Sequence, residues 1–168
     1  MTPEAGILST ALFALAAMIG FTSFTVSPAQ AVGTSVLWNT ENKCATPEGN
    51  STANGTVVTV WSCTGSSLQK WHWYDGTMLR HDVSGKCLTP KGNASGTNGA
   101  VLTLWDCNPY ASANPQRFES NFAEERIWTR HGGKRITAKG NSLSNGTWLT
   151  LWTCGTPWNH PQSWAIVG

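Results

Sequence analysis

Charge is scarce in this chain. Only 12% of its 168 residues are Asp, Glu, Lys or Arg, the formal net charge is +2, and the Lys and Arg are scattered along the sequence. A nucleic-acid-binding surface needs a basic patch or stripe, so this distribution excludes that class of partner. His and Cys never occur at zinc-ligand spacing, and neither a metal nor a cofactor is expected. Catalytic groupings are missing too. His72, His81, His131 and His160 stand in unlike settings, none with an Asp or Ser at a recurring offset. A carboxylate pair for glycoside cleavage would have to be drawn from Glu48, Asp75, Asp82, Asp106 and Glu119, which share no repeated logic. The chain does not read as an enzyme. Helical periodicity is also absent after residue 31, which leaves strands and turns to build the fold.

What the chain has in excess is tryptophan, ten in 168 residues. Some must be core, and a surface share would suggest binding. Its other distinctive stretch comes first. Apolar residues from Ile7 to Phe21 lead to Ala29-Gln30-Ala31, the pattern of a secretory signal peptide cleaved after Ala31. No Lys or Arg precedes the apolar run, and an uncleaved signal anchor is the alternative. Either outcome exports the remainder, so an extracellular location is expected, with no membrane insertion once the signal is removed.

Residues 32–168 carry one unit three times: Lys43 to Cys63 (KCATPEGNSTANGTVVTVWSC), Lys86 to Cys107 (KCLTPKGNASGTNGAVLTLWDC) and Lys134 to Cys154 (KRITAKGNSLSNGTWLTLWTC). After each comes a second marker, Gln69-Lys70-Trp71, Gln116-Arg117-Phe118 and Gln162-Ser163-Trp164. The glutamines are 47 and 46 residues apart, a period that calls for a repeat architecture. Asn54-Gly55, Asn98-Gly99 and Asn145-Gly146 each precede a strand-like run and mark turns. Further strands are expected at Val36–Trp38, Met78-Leu79 and Ile127-Trp128. Propeller blades have a similar length, but a propeller needs at least four. Three four-stranded repeats closing around a threefold axis make an all-β β-trefoil, with repeats at about 36–75, 76–123 and 124–168.

In an oxidising compartment the natural disulfides are Cys44–Cys63 and Cys87–Cys107, because each joins the two ends of a repeat. Arg135 stands at the corresponding position of the third copy. Cys154 is therefore unpaired, and is either a buried free thiol or a handle for intermolecular pairing. The third repeat should be the least tightly stapled. Asn50, Asn54, Asn93 and Asn145 each begin an N-x-S/T sequon, open to glycosylation in a eukaryotic host.

Three Q-x-W markers in phase with three Cys-to-Cys units resemble the ricin B-type β-trefoil lectins, over about Val36 to Gly168. The resemblance implies a sugar-binding domain with up to three shallow pockets. In that family an Asp two residues after the first Cys accepts sugar hydroxyls, a strand before the second Cys supplies a polar residue and an aromatic, and the Gln, often beside an Asn, buttresses the Asp or touches the sugar. Carried onto this chain, the aromatics are Trp61, Trp105 and Trp152, the strand polar residues Thr59, Thr103 and Thr150, and the glutamines Gln69, Gln116 and Gln162. The Asp position holds Thr46, Thr89 and Thr137, a departure in every repeat, and Asn114 and Asn159 lie close to the Asn position but displaced.

Alternation offers an independent reading of the same residues. In Val58-Thr59-Val60-Trp61 the valines share one face and Thr and Trp the other. Leu102–Trp105 and Leu149–Trp152 repeat the pattern. If the aliphatics face the core, each Trp stands outside it beside a hydroxyl, an arrangement suited to a sugar's C–H face and hydroxyls. The competing reading folds each Trp over its disulfide. Trp71, Phe118 and Trp164 are expected in the core, with their glutamines satisfying backbone groups beside the pockets. The expected function is an exported, monomeric, non-catalytic lectin domain whose partner is a glycan or polysaccharide. The alternative is a trefoil scaffold, such as a hydrolase inhibitor or effector, that binds a protein while its sugar sites are silent.

Overall fold

The computed structural model describes residues 35–111, 113–155 and 160–168. The expected signal segment 1–31 lies outside them. Among the described residues, twelve strands form three four-stranded antiparallel sheets. β4 (Trp71–Tyr74), β5 (Met78–His81), β6 (Cys87–Pro90) and β7 (Leu102–Trp105) make one in that order. β8 (Phe118–Asn121), β9 (Arg126–Thr129), β10 (Arg135–Ala138) and β11 (Leu149–Trp152) make a second. The third joins the two ends of the domain. β1 (Val36–Asn39), β2 (Lys43–Pro47) and β3 (Val58–Ser62) are completed by β12 (Trp164–Val167), which pairs with β1 from Val36↔Val167 to Asn39↔Trp164. Three equivalent sheets from three repeats are the β-trefoil.

The core follows from strand alternation. Val58 and Val60, Leu102 and Leu104, and Leu149 and Leu151 are fully buried, and each pair comes from one face of one strand. Trp71, Phe118 and Trp164 plug the same core at 0 to 1% exposure, as expected for the last residue of each Q-x-W marker. Both indole N–H groups of this set are satisfied, Trp71 donating to the Ala45 carbonyl and Trp164 to that of Pro161, each at 3.0 Å.

The Asn-Gly turns do more than reverse a hairpin. Gly55, Gly99 and Gly146 adopt φ of +86°, +80° and +86°, which favours glycine over any residue with a Cβ. Each turn docks on the next repeat. Gly55 N–H donates to the Leu104 carbonyl and Leu104 N–H to that of Thr56, both at 2.8 Å. Gly99 and Ala100 bracket Leu151 in the same way, and Gly146 and Thr147 bracket Val60. Repeat one thus grips repeat two, two grips three, and three grips one. Side chains reinforce this ring. Asn145 Oδ1 accepts from Ser62 N and from Lys43 Nζ, Asn98 Oδ1 accepts from Thr153 N, and Asn54 Nδ2 donates to Asp106 Oδ2.

Cys44–Cys63 and Cys87–Cys107 are bonded, with Cα separations of 5.1 and 5.0 Å. Cys154 is free and exposed, which corrects the buried alternative. Its position follows β11 at the surface end of the strand, and with Arg135 at the place of the first cysteine no partner sulfur covers it.

Candidate functional site

Each repeat builds one hollow from the same parts. In the β2–β3 pair, Thr46 lies opposite Thr59 and Cys44 opposite Trp61. The β6–β7 pair sets Thr89 opposite Thr103 and Cys87 opposite Trp105, and the β10–β11 pair sets Thr137 opposite Thr150 and Arg135 opposite Trp152. The aliphatic residues between them point into the core, which puts the threonines and the tryptophan on the outer face. The threonines are covered, at 2 to 7% exposure, because the chain folds over them after β2, β6 and β10. That covering turn is Glu48-Gly49-Asn50, Lys91-Gly92-Asn93 or Lys139-Gly140-Asn141. In each, Gly and then Asn take left-handed φ between 58° and 65°, a conformation those two residue types tolerate best.

The tryptophans are not covered. Trp61, Trp105 and Trp152 are 44, 50 and 49% exposed, each with a ring edge against a glycine of the neighbouring repeat. A Cβ on Gly146, Gly55 or Gly99 would lie 3.9, 3.7 or 3.6 Å from the nearest indole carbon. The resulting hollows have volumes of about 460, 300 and 270 Å³. Their walls are the two threonines, the x-Gly-Asn turn, the tryptophan and the borrowed glycine. The first is larger because it continues along Thr64, Ser66 and Leu68.

The hydroxyl hydrogens in these walls are already used. Thr59, Thr103 and Thr150 donate to the carbonyls of Thr46, Thr89 and Thr137 at 2.9 to 3.1 Å. Thr46, Thr89 and Thr137 donate to the carbonyls of Cys44, Cys87 and Arg135, at 3.2, 2.9 and 3.0 Å. They also accept from Gln69, Gln116 and Gln162 at 3.0, 2.8 and 3.1 Å. A hydroxyl has one hydrogen and two lone pairs, so what these groups have left to offer a ligand is acceptor capacity. The glutamines are engaged as well. Gln116 Nε2 also donates to the Asp106 carbonyl at 2.9 Å while its Oε1 accepts from Asn108 N at 2.9 Å. Gln69 and Gln162 do the same with Ser62 and Thr64, and with Thr153 and Gly155.

Of the residues singled out in the sequence, Thr46, Thr59, Trp61 and Gln69 converge on the first hollow. Thr89, Thr103 and Trp105 meet in the second, and Thr137, Thr150 and Trp152 in the third. Gln116 and Gln162 sit behind their threonines and do not line a hollow. Asn114 is buried, donating to the Asn108 carbonyl at 2.5 Å and accepting from Gln116 N at 2.9 Å, so it supports the glutamine and is not part of the wall. Asn159 lies outside the described residues. Sequence reasoning missed the x-Gly-Asn turn and the borrowed glycine. The signal for the turn was present, since Gly-Asn recurs at one fixed distance after Thr46, Thr89 and Thr137.

The charged groups of the hollows differ between repeats: Glu48 in the first, Lys91 in the second, Lys139 in the third. Next to Trp105, Asp106 accepts from Lys86 Nζ at 2.6 Å and from Asn54 at 2.8 Å, and these two donors hold its carboxyl below the usual carboxylate range. No histidine lines a hollow. His72 Nδ1 meets Asp82 Oδ1 at 2.5 Å on β4 and the turn after β5. His81 is buried with Nε2 3.0 Å from the Leu68 carbonyl, and desolvation lowers its pKa against the opposing pull of that carbonyl and of Asp82. Among the described residues, no group of three or more His, Cys, Asp or Glu could hold a metal ion.

The fold has counterparts among known proteins. Solved structures similar to the chain include ThreeFoil, a designed 3-fold symmetric protein (TM-score 0.67, 23% identity, covering 80% of this chain and 97% of that one). They also include the ricin B-like lectin of Macrolepiota procera in complex with lactose (TM-score 0.61, 17% identity, 83% and 98% coverage). A third is the C-half of the earthworm R-type lectin in complex with GalNAc (TM-score 0.61, 14% identity, 79% and 95% coverage). At these identities the likeness is one of fold. No curated protein matches the sequence. The family model for the ricin-type beta-trefoil lectin domain matches residues 23–118, more than half of the chain, and the chain belongs to that family.

Proposed function

We propose that the chain is an exported, non-catalytic carbohydrate-binding domain that holds a glycan or polysaccharide through its three tryptophan hollows. The observation that carries this reading is the threefold recurrence of a half-exposed indole beside a hollow floored by hydroxyl acceptors. Large apolar groups kept in water at three equivalent positions point to use. A sugar ring supplies what the hollow lacks. Its C–H face covers the indole, and its hydroxyls donate to Thr oxygens whose own hydrogens are engaged.

Magnitudes favour weak individual sites. Covering the exposed part of one indole removes on the order of 100 Å² of apolar surface, or about 2 kcal/mol before binding costs. The carboxylate acceptor of the family is replaced by neutral threonine, so no charge-assisted hydrogen bond adds to this at the Thr46, Thr89 and Thr137 positions. Three such sites on one domain act through avidity on a repeating polymer or a dense surface glycan. Residues 1–31 supply the export signal in this reading, and the two disulfides suit an oxidising compartment.

The test is glycan-array and polysaccharide pull-down binding by the wild type and by the Trp61→Ala, Trp105→Ala, Trp152→Ala triple variant. Binding is expected to vanish in the triple variant while the β-rich circular dichroism spectrum persists. Undiminished binding by a folded triple variant would refute the assignment.

A further inference from the structure

We propose that the three hollows sort ligands by charge: those of Trp105 and Trp152 take sugars bearing an acidic group, and that of Trp61 takes neutral ones. The inference rests on the carbohydrate reading above and concerns which sugar each site accepts.

The three hollows share their threonines, tryptophan, Gly-Asn turn and borrowed glycine, and the residue that opens the turn is what sets them apart electrically. Lys91 is the single charged residue lining the second hollow and Lys139 the single one lining the third. Glu48 is the single charged residue lining the first. The other lysines of the repeat units are engaged elsewhere: Lys43 on Ser62 and Asn145, Lys86 on Asp106, Lys134 on Thr153. Among the described residues, no carboxylate lies within ion-pair distance of Lys91 or Lys139. Asp106 neighbours Trp105 but does not line its hollow, and its charge is matched by Lys86.

Glu48 and Lys139 both rest on Trp148 without forming an ion pair with each other. Its indole N–H donates to Glu48 Oε1 at 3.3 Å, and Lys139 Nζ stands 4.6 Å from its ring centroid. The acid meets the edge of the ring and the ammonium its face, contacts that neutralise neither charge, and Glu48 lines the first hollow while Lys139 lines the third. The same position is Val57 in the first repeat and Val101 in the second.

Hydrogen-bond supply points the same way. With the Thr hydrogens committed to carbonyls, a carboxylate or sulfate in the second or third hollow finds its charged donor in the lysine. A neutral hydroxyl brings its own hydrogen and suits the acceptor-rich first hollow, where Glu48 adds a further acceptor and repels an anion. An exposed pair of this kind changes affinity roughly two- to fivefold per site. The effect weakens as salt shortens the Debye length.

The experiment follows the indole N–H signals of Trp61, Trp105 and Trp152 in the intact protein by NMR. The probes are hexamers of galactose, of galacturonate and of sulfated galactose. The acidic probes are expected to move the Trp105 and Trp152 signals at concentrations two- to fivefold below those the neutral probe needs, and Trp61 is expected to show the reverse. The differences should collapse in 0.5 M salt. Lys91→Glu and Lys139→Glu should each abolish the acidic preference at their own tryptophan, and Glu48→Lys should create one at Trp61. A response to the uronate alone or to the sulfate alone supports the proposal and identifies the acidic group. Equal titration of all three tryptophans by every probe, or a preference untouched by salt and by the charge reversals, overturns the sorting and leaves the carbohydrate reading standing. If no probe moves any of the three signals, the sorting falls, and the carbohydrate reading is decided by the glycan array.

Discussion

A third disulfide can be completed with one substitution. Arg135 and Cys154 are 19 residues apart, the separation of Cys44 and Cys63, and Arg135 faces Trp152 in register as Cys44 faces Trp61 and Cys87 faces Trp105. The bonded pairs have Cα separations of 5.1 and 5.0 Å, within the range a disulfide spans, and the pseudo-threefold relation carries that geometry to 135 and 154. Arg135→Cys should therefore bond to Cys154. Closing this loop removes about 11 cal/mol/K of entropy from the unfolded chain, or about 3 kcal/mol at room temperature. For a domain of this size that raises Tm by roughly 10 °C. The assay compares thermal unfolding of Arg135→Cys with and without a reductant gentle enough to spare the two native bridges, and counts free thiols with DTNB. Arg135→Ser serves as the control for loss of the arginine. Two free thiols persisting in the oxidised variant would refute the claimed equivalence of the third repeat. A formed bond with no gain in Tm would refute the loop-entropy reasoning.

Two further outcomes concern stability. Gln116→Ala strands the Asp106 carbonyl and Asn108 N–H and removes the donor to Thr89, so unfolding in urea should show a loss of about 3 kcal/mol, and a loss under 1 kcal/mol would mean water replaces the amide freely. His81 has its pKa lowered by burial, so the unfolded chain binds its proton more readily than the native one. Its contribution is complete above the ordinary histidine range and falls as pH drops below about 6.5. The urea midpoint should decline from pH 7.5 to 5 more steeply in the wild type than in His81→Gln, and equal slopes would sink the assignment.

The fold was legible because a trefoil writes itself three times. The Q-x-W aromatics and the alternating Val-Thr-Val-Trp, Leu-Thr-Leu-Trp strands declare their burial within four residues of sequence, and the side chains lie where that period puts them. The hollow was half legible. Its tryptophan and threonines come from one hairpin, whose pairing the alternation encodes. The turn that covers the threonines depends on left-handed backbone at Gly49 and Asn50, and the last wall of the first hollow comes from Gly146, most of the domain away in sequence. Periodicity carries no information about such a contact. Asn114 looked like a pocket residue because it neighbours Gln116, yet its amide turns inward to the Asn108 carbonyl, a choice set by tertiary packing. Cys154 shows the limit of treating cysteine as a small hydrophobe. Its burial would come from a partner sulfur, and Arg135 supplies none.

The borrowed glycine has a consequence for assembly. Gly55 completes the hollow of Trp105, Gly99 that of Trp152, and Gly146 that of Trp61, so no repeat owns a whole hollow. A lone repeat could complete its hollow only beside another copy that lent it a turn. In one chain the meeting does not depend on concentration, and each copy can differ from its neighbours, as the rims do with Glu48 at one and Lys91 and Lys139 at the others.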